Sequence, residues 1–317
     1  MPNPSIFYFK NSITSTIGVF PSNGAKYNGA IVAPNNLIYF IPFTGNEIIE
    51  LNPSTNNINY YSTGLSGANN FDNAVLGNDG NIYLAPYTAT QIGKFDPITK
   101  LFTLVGDVLP STIGKYNGGT LGLNGKIYYA PYNATQALEY DPATNATTLI
   151  GPSLSNGGRY IGAVTISDKI IFVPFEAPQI LQFNTSTLIA SYVGSTLVGT
   201  LKYIGGIAAP NSKIYLIPFN ASQILEYDPA TNTTTNVGEI FITGAGKFAG
   251  AVMNPNGKLY LVPYNEFYLY QFDYTDYTGK QIGSYYTGAG KWYNGTILNG
   301  NMFFAPYNST NILKIRQ

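Results

Sequence analysis

At seven evenly recurring places this 317-residue chain sets a polar or cationic residue directly before an aromatic one: Lys26-Tyr27, Asn70-Phe71, Lys115-Tyr116, Arg159-Tyr160, Lys202-Tyr203, Lys247-Phe248 and Lys291-Trp292. Aromatic faces stack on sugar rings and other π systems, and a neighbouring Lys or Arg can hold an anionic group. Six of the 16 cations and the single Trp fall in these pairs. They define a candidate ligand-binding ring of Tyr27, Phe71, Tyr116, Tyr160, Tyr203, Phe248 and Trp292, with Lys115, Arg159 and Lys291 as its cations. A plainer reading stands beside it. Aromatics at a fixed repeat position ordinarily pack between neighbouring units, with the Lys stems lying over them. One copy departs from the pattern: in Phe71-Asp72-Asn73 the preceding cation is lost and an acid appears. Asp72 therefore joins the candidate set, because asymmetry on a repeating scaffold is where a single specific site can arise.

Other chemistry is narrower. The chain has no cysteine and no histidine, which excludes disulfides, a thiolate nucleophile, a Cys/His zinc site and a Ser-His-Asp triad. Paired carboxylates for acid–base work should converge in a cleft. Here most acids sit in Asp-Pro turns or recur at equivalent positions, as Glu50, Glu139 and Glu226 do. No catalytic residue, metal ligand or cofactor is assigned on this basis, and the chain reads as a non-enzyme. The alternative is Ca²⁺ at a channel mouth, held by oxygens of Asp72, Asn73 and Asn294.

The elements that position these residues follow from a second recurrence. A Pro-aromatic pair appears at Pro42-Phe43, Pro86-Tyr87, Pro131-Tyr132, Pro174-Phe175, Pro218-Phe219, Pro263-Tyr264 and Pro306-Tyr307, spaced by 44, 45, 43, 44, 45 and 43 residues. Seven repeats of this size, filled with short strand-like runs, predict an all-β, seven-bladed β-propeller of four-stranded blades. The fifth copy displays the pattern. Gly205 to Ala209 is a Gly-rich inner strand, Lys213 to Pro218 the second, Gln223 to Tyr227 the third and Thr233 to Val237 a β-branched outer strand. Pro210-Asn211-Ser212 and Asp228-Pro229 supply the turns. The expected blades run approximately 26–69, 70–114, 115–158, 159–201, 202–246, 247–290, and 291–317 with 1–25, as one domain over 1–317. The last copy has three strands, so Thr14-Ser15-Thr16-Ile17-Gly18, which matches Thr234-Thr235-Asn236-Val237-Gly238, is expected to close the ring as its outer strand. Ile6-Phe7-Tyr8-Phe9 reads as a further strand without a clear place.

The Gly-rich inner strand, then N-G-K-I-Y, then I-L-E-Y-D-P, resembles broad NHL- and kelch-like propeller repeats. The kelch Gly-Gly pair, the WD40 Gly-His and Trp-Asp signatures and the sialidase Asp box are missing, so the resemblance implies a fold and carries over no functional residue.

Charge is balanced at 16 basic and 16 acidic residues, and charged residues make up 10% of the chain, which argues against nucleic-acid binding. No apolar run reaches the roughly 20 residues of a membrane helix, and Met1-Pro2-Asn3-Pro4 does not open a secretory signal. Strand polarity puts the segments leading into the inner strands, and the loops after each Pro-aromatic pair, on one face. Those loops begin at Thr44, Thr88, Asn133, Glu176, Asn220, Asn265 and Asn308 and offer either backbone caps or partners for sugar hydroxyls. The expectation is a non-catalytic recognition module that binds a glycan or a protein partner on that face, in an extracellular or virion-surface setting. A structural scaffold and a metal-dependent hydrolase or lactonase are the rival readings. The residues leave oligomeric state and compartment open.

Overall fold

The computed structural model describes residues 13–21, 24–155, 159–242 and 244–316. Among them are 28 strands in seven four-stranded antiparallel sheets, and no helix. The innermost strands are Tyr27–Val32, Phe71–Leu76, Tyr116–Leu121, Tyr160–Ile166, Tyr203–Ala208, Phe248–Met253 and Trp292–Leu298, which name blades 1 to 7 in that order. Each inner strand contacts the next, and that of blade 7 contacts that of blade 1. The ring is closed, and the molecule is the seven-bladed propeller that the period predicts. The closing strand is also as expected: Ile13–Ile17 pairs antiparallel with Ile312–Arg316, matching Ile17 to Ile312 and Ile13 to Arg316. The expected strand at Ile6–Phe9 lies outside the described residues.

Burial explains why the chain forms blades. The second strand of every blade, such as Ile38–Pro42 or Ile214–Pro218, is buried along all but at most its first residue, whereas outer strands such as Ile58–Ser62 are half-buried or exposed throughout. A sheet sandwiched between two others needs apolar side chains on both faces, and an outermost strand needs them on neither in full. One hydrophobic cluster fills each of the seven seams between adjacent blades. An eighth lies around the axis, formed by Ile161, Phe175, Ile204, Ala249 and Tyr293.

Every inner strand is interrupted by a register shift at its start, between Tyr27 and Gly29, Phe71 and Ala74, Tyr116 and Gly119, Tyr160 and Ala163, Tyr203 and Gly206, Phe248 and Ala251, and Tyr293 and Gly295. Six of these bulges contain a residue with positive φ: Asn73, Gly118, Gly162, Gly205, Gly250 and Asn294. Glycine is needed where the inner strands crowd one another, since a Cβ on Gly118 would lie 3.2 Å from the Gly162 Cα. A bulge bends the strand and re-aims the neighbouring side chain. Here it directs the residue after the seam aromatic towards the axis.

Candidate functional site

The aromatic ring expected at the mouth is not at the mouth. Tyr27, Phe71, Tyr116, Tyr160, Tyr203, Phe248 and Trp292 are all buried, one in each of the seven seam clusters. Trp292 donates its indole N–H to the Asn311 carbonyl at 3.0 Å and meets Tyr286 edge-on at 4.9 Å. Tyr116 lies 6.5 Å from the ring of Tyr129, and Phe248 lies 5.1 Å from that of Phe241. These side chains seal one blade against the next and have no face left for a ligand. Truncating one to Ala would cost about 3–5 kcal/mol.

The cations before them are fasteners. Lys26, Lys115, Lys202, Lys247 and Lys291 are buried. Lys115 Nζ donates to the Thr112 carbonyl at 2.9 Å and to that of Thr88 at 3.1 Å. Lys291 Nζ donates to Gly288 at 2.9 Å and Tyr264 at 3.1 Å. Arg159 is partly exposed, and its guanidinium donates to the Ser155 carbonyl. Burial lowers all five lysines, Lys291 to about 8. The loop asparagines are engaged too: Asn265 accepts from the Gly290 N–H and donates to the Ala245 carbonyl, and Asn308 accepts from Ala25 N–H and donates to Ala289. They cap loop backbone and do not present free groups. Glu50, Glu139 and Glu226 bind Lys100, Lys126 and Lys213 within or between blades, as repeated structural acids.

What encircles the mouth is the Pro-aromatic residue of each blade. Ring centroids run 5.3 Å from Phe43 to Tyr87, 6.0 Å to Tyr132, 6.3 Å to Phe175, 5.9 Å to Phe219, 5.3 Å to Tyr264 and 5.6 Å to Tyr307. All except buried Phe175 are partly exposed. A belt of backbone hydrogen bonds holds this collar. Each collar N–H donates to the carbonyl of the cation-position residue in its own blade, as Tyr132 does to Lys115 at 2.9 Å and Tyr264 to Lys247 at 3.0 Å. The cation-position N–H in turn donates to the collar carbonyl of the preceding blade, as Lys202 does to Phe175 at 2.7 Å. Only blade 2 substitutes another donor among these described bonds, Asn69 N–H to the Phe43 carbonyl. The collar was legible in the sequence as the marker of the period, but its place at the mouth was not read from it.

Beneath the collar a septum crosses the channel. It is built from one residue per blade, immediately after the seam aromatic: Asn28, Asp72, Asn117, Ile161, Ile204, Ala249 and Tyr293, all of them buried, with Asn117, Ile161, Ile204 and Tyr293 bordering the lumen. Tyr293 packs on Tyr307 at 5.6 Å and Tyr264 at 6.3 Å above. Below, Ile161, Ile204 and Tyr293 cap a cavity of 240 Å³ whose walls include Asn73, Asn117, Asn294 and the bulge glycines. The septum is divided: blades 1 to 3 contribute amide, carboxyl and amide, and blades 4 to 7 contribute apolar surface and Tyr293.

Asp72 is the charged member. It is 2% exposed, and burial pushes its carboxyl up to about 7 against the opposing pull of a hydrogen bond from the Asn28 side chain. Its charge is felt by the hydroxyls of Tyr87, Tyr132, Tyr293 and Tyr307. Asp72 Oδ1 and Asn28 Oδ1 are both buried without a hydrogen-bond partner, a condition that costs about 1–3 kcal/mol per group. Of the expected oxygen ligands around it, Asn73 and Asn294 are committed elsewhere. Their Oδ1 atoms accept from the next backbone N–H, at 2.8 Å from Ala74 and 2.9 Å from Gly295. Among the described residues no group of three or more His, Cys, Asp and Glu gathers at one place.

No family model and no curated protein matches the sequence. Solved structures do match the fold over most of its length. A streptogramin B lyase superposes with a TM-score of 0.82 at 16% identity, covering 96% of this chain and 98% of that one. A catalytically inactive His-to-Ala variant of virginiamycin B lyase from Staphylococcus aureus, with quinupristin, gives 0.81 at 14% identity and coverages of 96% and 99%. The extracellular domain of a hybrid two-component system from B. thetaiotaomicron gives 0.68 at 11%, covering 92% of this chain and 40% of that one. At such identities the likeness shows the fold alone. It also overturns the expectation that the chain is not an enzyme, because propellers of this outline include lyases and the scaffold itself is compatible with catalysis. The route cannot be that lyase's histidine, since this chain has none. The chain is a seven-bladed β-propeller, with no narrower family identified.

Proposed function

We propose that the protein recognises a ligand at the loop-face mouth of its channel, and that the ligand is a glycan or a glycan-bearing partner surface. The observation that carries this reading is the collar. Seven aromatic rings follow one another around the axis on the loop face, six of them partly exposed, and a backbone belt holds them in place before any ligand arrives. Rigid aromatic surface binds sugar faces with little loss of conformational freedom, and the tyrosine hydroxyls add polar contacts. A glycan array probed with wild-type protein and with Tyr87→Ala and Tyr132→Ala tests it. Discrete hits that fade in both variants, with the fold intact, support the collar. Hits that persist unchanged in both place recognition elsewhere.

A second reading, turnover of the bound molecule, is favoured by the lyase likeness together with Asp72, a buried carboxyl directly under the collar. Incubation with quinupristin, followed by chromatography, tests it. Substrate consumption by wild type that is lost in Asp72→Asn supports catalysis, and unchanged substrate sets that chemistry aside for this molecule.

A further inference from the structure

The polar arc of the septum, three of its seven residues, has an uncompensated arrangement of oxygens. Asn28 and Asp72 stand at the same position of adjacent inner strands, both 2% exposed, and the Asn28 side chain bonds to the Asp72 carboxyl. Each keeps one buried oxygen without a partner. Asn117 occupies the same position in the next blade and faces the 240 Å³ cavity. Three consecutive blades thus turn amide or carboxyl side chains to the axis where the other four turn Ile, Ile, Ala and Tyr. The ion pairs of the described residues engage Glu50, Asp79, Glu139, Glu226 and Asp273, and none of them serves Asp72. The buried lysines nearby point their ammonium groups at loop carbonyls.

We infer that Asn28, Asp72 and Asn117 form a site for a single hard cation of the Ca²⁺ class, seated in the septum with its remaining coordination positions turned to the cavity. The donors are all oxygen, which suits Ca²⁺ and does not suit zinc. Calcium accepts amide carbonyls, carboxylate and water together in flexible geometry. A water molecule would satisfy both unpartnered oxygens and leave the buried charge in place. A proton would join Asp72 to Asn28 and leave Asn117 without a role. A cation answers the charge and both unpartnered oxygens, and it takes the cavity-facing Asn117 as a third ligand. With one carboxylate the affinity belongs at the weak end, of order 10⁻⁴–10⁻³ M. This inference is independent of the glycan reading, since none of its ligands is a collar residue.

Terbium is the probe, because tyrosines Tyr87, Tyr132, Tyr293 and Tyr307 lie close enough to sense Asp72. The expected result is tyrosine-sensitised Tb³⁺ emission that millimolar Ca²⁺ displaces. Emission should fall at least about tenfold in Asp72→Asn, and Asn117→Asp should tighten Ca²⁺ about tenfold by adding a second carboxylate. Circular dichroism and melting curves verify that both variants are folded. Emission that is absent from wild type, or equal in wild type and Asp72→Asn, overturns the site. So does an Asn117→Asp protein that folds and binds Ca²⁺ no more tightly, whatever becomes of the Asp72 variant.

Discussion

In blade 5 the chain enters the inner strand as Lys202-Tyr203-Ile204-Gly205, with the strand starting at Tyr203, and in blade 2 it enters as Asn70-Phe71-Asp72-Asn73, with the strand starting at Phe71. The backbone treats the two alike. Each aromatic seals a seam, each strand bulges before its fourth residue pairs, and Gly205 and Asn73 both take positive φ, at 68° and 63°. The side chains do opposite things. Lys202 holds the Gly199 carbonyl at 3.0 Å, whereas Asn70 reaches the Asn46 side chain at 2.9 Å. Ile204 joins the axial apolar cluster, and Asp72 buries a carboxyl with one oxygen unpartnered. A repeat therefore fixes where a side chain points and leaves its chemistry free. Function can be installed in one blade without disturbing the ring.

The comparison breaks most visibly if blade 5 is given blade 2's acid. Ile204→Asp places an unpaired carboxylate among Ile161, Ala249 and Tyr293 and should cost about 3–5 kcal/mol. Urea denaturation at pH 8 measures it. A loss below about 1 kcal/mol would mean that the two halves of the septum do not differ in kind.

The cation position gives a pH test. Lys291, the blade 7 equivalent of Lys202, is lowered by burial from 10.5 to about 8. Between those values the unfolded chain holds a proton that the folded chain has released, so stability from this group rises with pH across that window. Wild type should gain on Lys291→Met between pH 8 and pH 10, read as the difference in denaturant midpoints. A constant difference would show the ammonium charged in both states.

The gentlest change exchanges the bulge residues. Gly205→Asn should cost less than about 1 kcal/mol, because Asn tolerates left-handed backbone and a Cβ there would meet nothing closer than the Gly250 Cα at 3.7 Å. The same exchange at Gly118, where that distance to the neighbouring Gly162 Cα is 3.2 Å, should cost distinctly more in a thermal melt. Equal shifts would remove the crowding argument.

Much of the architecture was readable in advance for a physical reason. Pro42 and its six counterparts end the second strands, Asp-Pro turns mark outer hairpins, and Gly-rich inner strands crowd an axis; local turn chemistry and periodicity encode all three. The match of Thr14–Gly18 to Thr234–Gly238 announced ring closure. Asp72 also stood out, as the acid that appears in the one copy that loses its cation. The candidate ring was misplaced because aromatics at two fixed positions of the repeat, one opening the inner strand and one following the second strand, look equivalent in sequence. Tyr116 is turned into a seam and Tyr132 towards the mouth, and nothing in their composition distinguishes them.

The sequence by itself determined the number of blades, the strands of each and the closing strand, because these follow from repeat length and short-range pattern. Tertiary structure alone decided which aromatics seal seams and which ring the channel. It also brought Asn28, Asp72 and Asn117, roughly one repeat apart, into one polar arc opposite Ile161, Ile204, Ala249 and Tyr293. Those outcomes depend on the bulge that re-aims each inner strand and on the closure that sets seven equivalent positions around a common axis. Both are properties of the assembled ring, and no single blade holds them.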